Sequence, residues 1–433
     1  MPGRRTSCPL CPSPPSFPCS SVRLGGETMP ERNRLWPLLA IQLVTSAGFS
    51  LALPFLSLYL VQKRGVPMAF VGTVMLGAAF ASALGQILGG EGADRLGRRP
   101  TLALALFVRI AAFLGLGTLM ALNGPVWAVV LLFLLVRVTG GMAMPPVSAL
   151  VADFTERNRI EGYGLLRVGA NLGWGAGPAL GGYLATFLPY SHLFLLAAAA
   201  TSLALVLTLL AVPEPARRPG GASASALFSA FRDRRFLSFL ALCFPVFLVA
   251  GQLVSTLSVF TVERLGLSTA QFGGLLTLNG LLVAAAQYPL ARASAAWARP
   301  WALALGALLY GLGYLSFGWV RAYPLMLGSM AVVTLGEMLF APASLAVAAD
   351  LAPSRHRGRY LGAFGLTESF GWSAGSFWGG LLLDFVSSPQ GLWGALSSLA
   401  FLACGLFLVL GKGGHGPLQR QPARTLDEEE RRA

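Results

Sequence analysis

The sequence predicts an all-α membrane protein, with twelve transmembrane helices in two pseudo-symmetric six-helix bundles. Its composition is the first observation: 55% of the 433 residues are hydrophobic and only 12% are charged, whereas a soluble domain carries about 25% charged residues. The apolar residues also form long runs of about 20, the length that crosses the hydrocarbon core as a helix. Finally, the second half of the chain repeats a pattern of the first half, which predicts two similar bundles.

The apolar runs are interrupted by Gly and Pro and show no alternation of polar and apolar residues. This favours helices over a membrane β-barrel, whose strands of about 10 residues alternate. The predicted helices cover residues 36–61, 67–90, 101–122, 126–151, 160–186, 191–212, 236–261, 269–291, 297–319, 323–349, 358–385 and 389–410.

The internal repeat lies in the fifth and eleventh predicted helices. Residues 173–177 read Gly-Trp-Gly-Ala-Gly and are followed by Gly181-Gly182, while residues 371–375 read Gly-Trp-Ser-Ala-Gly and are followed by Gly379-Gly380. Membrane carriers built from two parallel repeats place the substrate site between the halves, near the bilayer midplane. The repeat therefore predicts a transporter.

The helices and repeats define the expected organisation of the chain. Pro213 and Pro215 end the first bundle, and Phe228, Phe231 and Phe236 among arginines predict a short helix at the membrane surface within the linker. We expect an N-terminal extension over 1–34, a six-helix bundle over 35–212, a cytoplasmic linker over 213–235, a second six-helix bundle over 236–411 and a cytoplasmic tail over 412–433.

Residues 1–28 are expected to precede the native start. They are rich in Pro, Ser and Cys and contain no apolar helix, so they do not form a signal peptide. Gly25-Gly26-Glu27-Thr28 is what a translated ribosome-binding site would encode, which predicts Met29 as the first native residue. Cys8 and Cys11 form a lone C-x-x-C without a second pair, and this disfavours a zinc site.

The net charge of +14 is distributed unevenly along the chain. Counted from residue 29, alternate loops and the two terminal segments together hold 22 Lys and Arg residues, while the opposite loops hold only Lys63, Arg64, Arg264 and Arg321. The positive-inside rule therefore predicts a multi-pass protein of the cytoplasmic (inner) membrane with both termini in the cytoplasm. This distribution explains the basic charge without a nucleic-acid partner.

The loop after the second predicted helix, residues 90–100, is basic and contains glycine. Gly97 permits a tight turn, and the arginines hold the loop at the anionic inner leaflet. The pattern resembles the signature loop of the major facilitator superfamily (MFS), with Gly92 at the usual leucine position. The resemblance implies the MFS fold, and it implies a conformational switch formed by Gly90, Asp94, Arg95, Gly97, Arg98 and Arg99.

Two further stretches are similar to motifs of this family. Arg137 with Gly141 resembles its second motif, and the glycines of the fifth helix resemble its antiporter motif. The set looks most like the twelve-helix drug:proton antiporters, while general helix packing by small residues stays open as an explanation of the glycines. The glycine motif comprises Gly164, Gly173, Gly177, Pro178, Gly181 and Gly182.

Charged residues within the predicted spans are candidates for proton coupling, because intramembrane charges are costly and usually functional. Glu337 has Gly140 as its repeat counterpart, so the acid is present in one half only. A desolvated carboxyl favours its protonated form, which suits proton uptake and release. We assign proton coupling to Glu337, with Glu368 and Arg137 as further members. A structural ion pair between Glu337 and Arg137 is the alternative.

Other charges lie at helix ends or lack an obvious partner in the sequence. Asp153, Asp350 and Asp384 follow predicted helices, where we expect capping or pairing with loop residues. Arg109 and Arg167 are expected to pair with acids or lipid headgroups, and the sequence does not decide between these.

In the family that this chain resembles, helices one, four, seven and ten line the cavity. The resemblance therefore implies that Gln42, Arg137, Gln252 and Glu337 face the substrate path. Aromatic residues can supply apolar walls, since their rings provide large contact areas. The candidates for these walls are Trp174, Trp372, Phe260 and Phe340.

An apolar cavity with one acid suits lipophilic cations, because the acid pairs either with the cation or with a proton. The expected function is proton-coupled export of amphipathic or cationic compounds by alternating access. The expected partners are a lipophilic small molecule, protons and membrane lipids, with a monomeric chain, no cofactor and the proton gradient as energy source. A proton-coupled carrier of a sugar, amino acid or siderophore, and a non-transporting receptor or assembly factor, are the alternatives. No nucleophile–base pair or phosphate-binding loop indicates an enzyme.

Overall fold

The computed structural model describes residues 31–155, 159–215, 229–294, 297–353 and 357–412. This described part is helical throughout and contains no strand. The expectations for residues 1–28, for Cys8 and Cys11, for linker residues 216–228 and for the tail beyond 412 lie outside the described residues.

Six long helices form each half of the described chain. The first half consists of α1 (Glu31–Leu58), α2 (Met68–Arg95), α3 (Arg98–Ala121), α4 (Val126–Phe154), α5 (Arg159–Leu184) and α6 (Tyr190–Ala211). The second half consists of α7 (Arg234–Ala250), α8 (Thr269–Ser294), α9 (Arg299–Ser316), α10 (Tyr323–Leu351), α11 (Arg357–Phe385) and α12 (Pro389–Lys412).

The two halves repeat the same helix pairing. In the first half α1 packs on α5 and α6, α3 packs on α4 and α6, and α2 packs on α4. Each of these pairs has its counterpart six helices later, so that α7 packs on α11 and α12, α9 on α10 and α12, and α8 on α10. The halves meet through α2 with α11 and α5 with α8. The predicted pair of pseudo-symmetric six-helix bundles is confirmed.

Eight of the described helices are long and apolar enough to cross a membrane by their own length and composition. The other four are α5 and α11, which carry the glycine-rich repeats, α7, which has 17 residues, and α9, which has 18. Short loops join α5, α9 and α11 to their neighbours, and α7 follows the linker. Each of the four helices must cross so that the helices before and after it keep their alternating directions. All twelve helices therefore span the membrane.

The seventh span is broken, in contrast to the continuous helix predicted over residues 236–261. Asp233 caps α7 by accepting hydrogen bonds from the backbone of Arg235 and Phe236. The helix ends at Ala250, and after a turn over residues 251–255 the chain resumes as a short helix, Thr256–Val259, and a π-helical turn. Since small breaks release backbone hydrogen-bonding groups inside the membrane, they occur where protein rather than lipid surrounds the chain.

The prediction of a surface helix in the linker is wrong for its last residue, Phe236. Phe236 is fully buried inside the second bundle, 4.6 Å from the ring centroid of Tyr360. Within the described part of the linker, Ser229–Arg232 forms one turn of 3₁₀-helix. The aromatic residue after the arginines packs in the core because it belongs to the first turn of α7.

Candidate functional site

A cavity lies between the two bundles at the middle of the spans and has two adjoining parts. The main chamber, of about 450 Å³, takes Phe49, Phe133 and Arg137 from the first half and Glu368 and Ser376 from the second half, among other residues. The side chamber, of about 160 Å³, is lined by residues of α5, α8 and α10 among others. Both chambers share Trp174, Val254 and Trp372.

The acidic wall of the cavity belongs to the second half. Glu337 lines the side chamber, and its carboxylate accepts a hydrogen bond of 2.8 Å from Asn279 Nδ2, which also lies 3.1 Å from Thr334 Oγ1. Glu368 lines the main chamber. The two carboxylates therefore occupy neighbouring chambers of one cavity, as expected if both act on the same transported species.

The cation that acts electrostatically on both carboxylates is Arg167 of α5. The Arg167 side chain is exposed, although α5 spans the membrane. Within the described residues, the ion pairs are Arg95–Glu91 and Arg98–Asp153, and neither involves Glu337 or Glu368. The expected alternative, a structural ion pair between Glu337 and Arg137, is not formed in this conformation.

The basic wall of the main chamber belongs to the first half. The guanidinium carbons of Arg137 and Arg109 both lie 5.3 Å from the ring centroid of Phe49, and Arg109 also lies 5.5 Å from that of Phe113. Arg137 lines the chamber, and Arg109 is buried behind it. Aromatic faces attract cations, which partly stabilises these two charges.

Two of the four aromatic residues expected at the cavity are there. Trp174 and Trp372 are repeat counterparts, and they line both chambers from opposite halves. The other two are packed in the core instead. Phe260 lies 5.3 Å from Trp393, and Phe340 contacts the rings of Phe247 and Phe407. Bulky apolar side chains at helix interfaces pack equally well without a ligand, so composition does not separate the two cases.

The two expected cavity glutamines have local partners. Gln42 Nε2 donates to Ser46 Oγ over 3.2 Å within α1. Gln252 is fully buried in the break of the seventh span, and its Nε2 donates to the carbonyls of Leu248 and Gly375, each over 2.8 Å. Neither glutamine lines the two chambers. Gln252 thus joins α7 to α11 in this conformation.

Three acidic side chains hold the loop that was predicted to act as a switch. Arg98 forms an ion pair of 2.9 Å with Asp153 at the end of α4, and Arg95 lies 2.6 Å from Glu91. The carboxylate of Glu214 accepts from the backbone N–H groups of Arg98 and Arg99 over 2.8 and 2.7 Å. The loop therefore joins the ends of α2, α4 and α6, with Asp94 exposed beside it.

The glycines of α5 bring two helices into close contact with it. A Cβ atom placed at Gly173, Gly177 or Gly181 would clash with the backbone of α1. A Cβ at Gly182 would lie 2.6 Å from Thr269 O at the start of α8. Pro178 contributes its carbonyl to the contact with Gly273. The motif thus packs α5 against helices of both halves.

Contacts between the halves concentrate on the side of the membrane opposite residues 31 and 412, which we call the far face. The carboxylate of Asp384, at the end of α11, accepts from the backbone of Met68 and Ala69 over 3.1 and 2.6 Å and so caps α2. Phe80 and Phe370 meet near the midpoint, with ring centroids 5.4 Å apart. The cavity is sealed at the far face, and the exposed Arg167 lies on the other side of it.

Two residues of the site, Asn279 and Ser376, were not selected from the sequence, and the partner of Arg167 was left open. Asn279 holds Glu337. Arg167, which was expected to pair with acids or lipid headgroups, acts electrostatically on both acids. Ser376 lines the main chamber and donates to Gly251 O across the break of the seventh span. The one available signal was a polar side chain at bilayer depth, which marks Asn279 as a candidate.

The chain was compared with known protein families and with individual proteins, and the matches agree with one another. The profile of the Major Facilitator Superfamily matches residues 38–278 and 263–430. The chain is similar to the multidrug resistance protein MdtH of Yersinia pestis (strain Pestoides F), at 29% identity over 80% of this chain and 86% of the relative. It is also similar to the uncharacterized MFS-type transporter YttB of Bacillus subtilis (strain 168), at 24% identity over 79% of this chain and 86% of the relative.

Solved structures with the same fold include two transporters. The human organic anion transporter MFSD10 (TETRAN) aligns with a TM-score of 0.63 at 21% identity, over 88% of this chain and 100% of that chain. The nucleoside transporter NupG aligns with a TM-score of 0.75 at 12% identity, over 88% of this chain and 100% of that chain. These likenesses establish the fold.

Proposed function

Because the chain belongs to the major facilitator superfamily, a family of transporters and not of enzymes, we propose that it exports amphipathic compounds in exchange for protons. The observation that carries this is the pair of carboxylates, Glu337 and Glu368, in a cavity with aromatic walls. Neither carboxylate has an ion-pair partner among the described residues. The similarity to a protein called a multidrug resistance protein supports a broad substrate range.

We place the protein in the cytoplasmic (inner) membrane with both termini in the cytoplasm. The distribution of Lys and Arg supports this orientation, because the loops on the side of residues 31 and 412 carry most of the positive charge. In this orientation the far face is external, and the cavity opens to the cytoplasm. An exporter loads its substrate in this state. The cavity forms within one chain, so a monomer is the proposed functional unit.

The coupling mechanism follows from competition at the carboxylates. An ionised Glu337 or Glu368 attracts a cationic group or the Arg167 guanidinium, while a protonated one attracts neither. Substrate binding from the cytoplasm therefore displaces a proton, and protonation from the outside releases the substrate. A two-state carrier that binds one species at a time exchanges them by rocking its two halves around the site.

Three further residue sets take supporting roles in this proposal. Arg137 and Glu368 line the same main chamber from opposite halves, so Arg137 supplies the positive side of the site. The loop of Gly90, Asp94, Arg95, Gly97, Arg98 and Arg99 keeps the ends of the first bundle together while it moves. The glycines of α5 provide the smooth surface on which α1 and α8 pack.

The test is transport of a fluorescent lipophilic cation, rhodamine 123, in proteoliposomes with an imposed pH gradient. We expect gradient-driven movement of the dye in the parent protein and its loss in Glu337→Gln, since the amide cannot take up a proton. Glu263→Gln, an exposed change at the far face, is the matched control and should transport like the parent. Counterflow in Glu337→Gln without gradient-driven uptake would place the loss in coupling rather than in folding.

Two results would contradict the proposal. Equal gradient-driven transport in the parent and Glu337→Gln would remove Glu337 from coupling. A parent that binds and moves no amphipathic dye under any gradient would favour a carrier of a specific metabolite instead.

A further inference from the structure

Two arginines form the basic wall, Arg137 at the main chamber and Arg109 behind it. Arg109 is 8% exposed, and its Nε is buried without a hydrogen-bond partner among the described residues. Arg137 lines the main chamber. Both guanidiniums share the ring of Phe49, each 5.3 Å from its centroid, so two like charges lie close together in the membrane interior.

No carboxylate of the described chain lies within ion-pair distance of either guanidinium. Phe49 and Phe113 provide aromatic faces, but a cation–π contact compensates only a part of the cost of burying a guanidinium. Buried charges in proteins are paired or hydrogen-bonded. The structure leaves these two without a counter-charge on the side that faces the chamber.

We propose that Arg137, supported by Arg109, forms an anion-binding subsite, so that the preferred substrates of this transporter carry a carboxylate or a similar organic anion. This inference rests on the proposed export function and names its substrate class. The subsite lies on the wall opposite Glu368, and Trp174 and Trp372 line the space from both halves. A planar apolar body between the tryptophans places an anionic group at Arg137 and a cationic group at the acids.

The arrangement favours zwitterionic amphipathic compounds over simple lipophilic cations. Guanidinium groups bind carboxylates through charge-assisted and often bidentate hydrogen bonds, which are stronger than neutral ones. A simple cation gains only from the acidic wall and must lie beside an uncompensated pair of arginines. A zwitterion satisfies both walls of the same chamber.

A matched dye pair tests the subsite. Rhodamine 110 carries a free carboxylate, and rhodamine 123 is its methyl ester with the same aromatic body. We would measure the binding of both dyes by fluorescence anisotropy to the purified full chain in phosphatidylcholine nanodiscs at neutral pH. We expect the parent to bind rhodamine 110 about tenfold more tightly than rhodamine 123, because the free carboxylate gains one charge-assisted hydrogen bond.

The variants separate an anion subsite from a structural role. Arg137→Gln and Arg109→Gln should lower the affinity for rhodamine 110, so that the ratio of the two affinities falls towards one. The affinity for rhodamine 123 should persist, which shows that the protein is folded. Arg137→Lys, which keeps the charge, should retain part of the preference. Arg292→Gln, an exposed change near the end of α8, is the matched control and should keep the full ratio.

The outcomes also separate this inference from the proposed function. Binding of the ester as tight as that of the acid, with gradient-driven export of the ester, would overturn the anion subsite and leave the export function intact. An unchanged ratio in Arg137→Gln and Arg109→Gln would likewise overturn it. Failure to bind either dye would overturn both.

Discussion

Glu214 shows how a single side chain can organise a loop whose own sequence is mainly basic. Its carboxylate accepts two backbone hydrogen bonds at the start of α3, from Arg98 and Arg99. Gly97, with φ of +109°, takes a conformation that favours glycine, and a Cβ there would lie 2.5 Å from Glu214 Oε1. The acid at the end of α6 therefore does for α3 what an N-cap side chain does.

Removing this cap should destabilise the first bundle. We expect Glu214→Ala to cost about 1 kcal/mol, the usual loss when a capping side chain is removed, and to lower the thermal unfolding temperature of the detergent-purified protein. Glu91→Gln is the comparison, because it breaks an exposed i,i+4 ion pair with Arg95, which contributes about 0.5 kcal/mol or less. Equal melting of Glu214→Ala and the parent would show that water replaces the carboxylate without loss.

At the scale of helices, the repeated glycines occupy equivalent contacts in the two halves. Gly182 lies against Thr269 O at the start of α8, and its repeat counterpart Gly380 lies against Met68 O at the start of α2. Small residues permit such close approach of helix backbones, which lipid tails cannot drive by the hydrophobic effect. The repeat that is visible in the sequence is therefore a repeat of the interface between the halves.

The contact of α5 with α1, within the first bundle, depends on the same glycines and gives a test. A Cβ at Gly177 would lie 2.0 Å from Ser50 Oγ and 2.6 Å from Ala47 O, so the two helices must separate. We expect Gly177→Ala to destabilise the protein by about 1–3 kcal/mol, the usual range for overpacking. Thermal unfolding measures this, and the double variant Ser50→Ala/Gly177→Ala should not recover, because the clash with the carbonyl persists.

Gly405 of α12 is the control for this change. It is exposed, and a Cβ atom placed on it would meet no heavy atom within 4 Å. Gly405→Ala should leave the unfolding temperature unchanged or raise it slightly, because alanine favours helix by up to about 1 kcal/mol. Similar losses in both variants would mean that helix flexibility, rather than close packing, explains the glycines.

The sequence predicted the helices well because their signal is local. Runs of about 20 apolar residues, bounded by loops of arginine, proline and glycine, fix the number and order of spans. The break after Ala250 was missed, since residues 251–255 contain no proline and lie between apolar residues that read as one continuous run. Breaks depend on contacts from another helix, here Gly375 and Ser376 of α11, which lie far away in the chain.

The sequence identified the charged residues of the site but not the side chains that they contact. Glu337, Glu368 and Arg137 were selected because intramembrane charges are rare, and all three line the cavity. The partner of Glu337 is Asn279, and Arg109 packs on Phe49, and neither contact follows from spacing along the chain. Gln252 was selected by its helix, but its side chain turns towards Gly375 rather than the cavity.

For the whole molecule, the far-face seal decides which state the carrier occupies. The caps that Asp384 provides to α2 join the two halves directly. These hydrogen bonds exist only while the far face is closed, because opening it must move α2 away from α11. An interaction made in one state and absent from the other shifts the population between them.

Weakening this cap should therefore move the population towards the far-face-open state. We expect Asp384→Asn, which keeps the shape but removes the charge at the N-terminus of α2, to lengthen the distance between spin labels at Lys63→Cys and Ala322→Cys, on opposite halves of the far face. Double electron–electron resonance in nanodiscs measures the distribution. Glu263→Gln, which changes an exposed charge on the same face, should leave it unaltered. If both variants give the parent distribution, the packing of Gly380 on Met68 and of Gly182 on Thr269 holds the face closed without the charge.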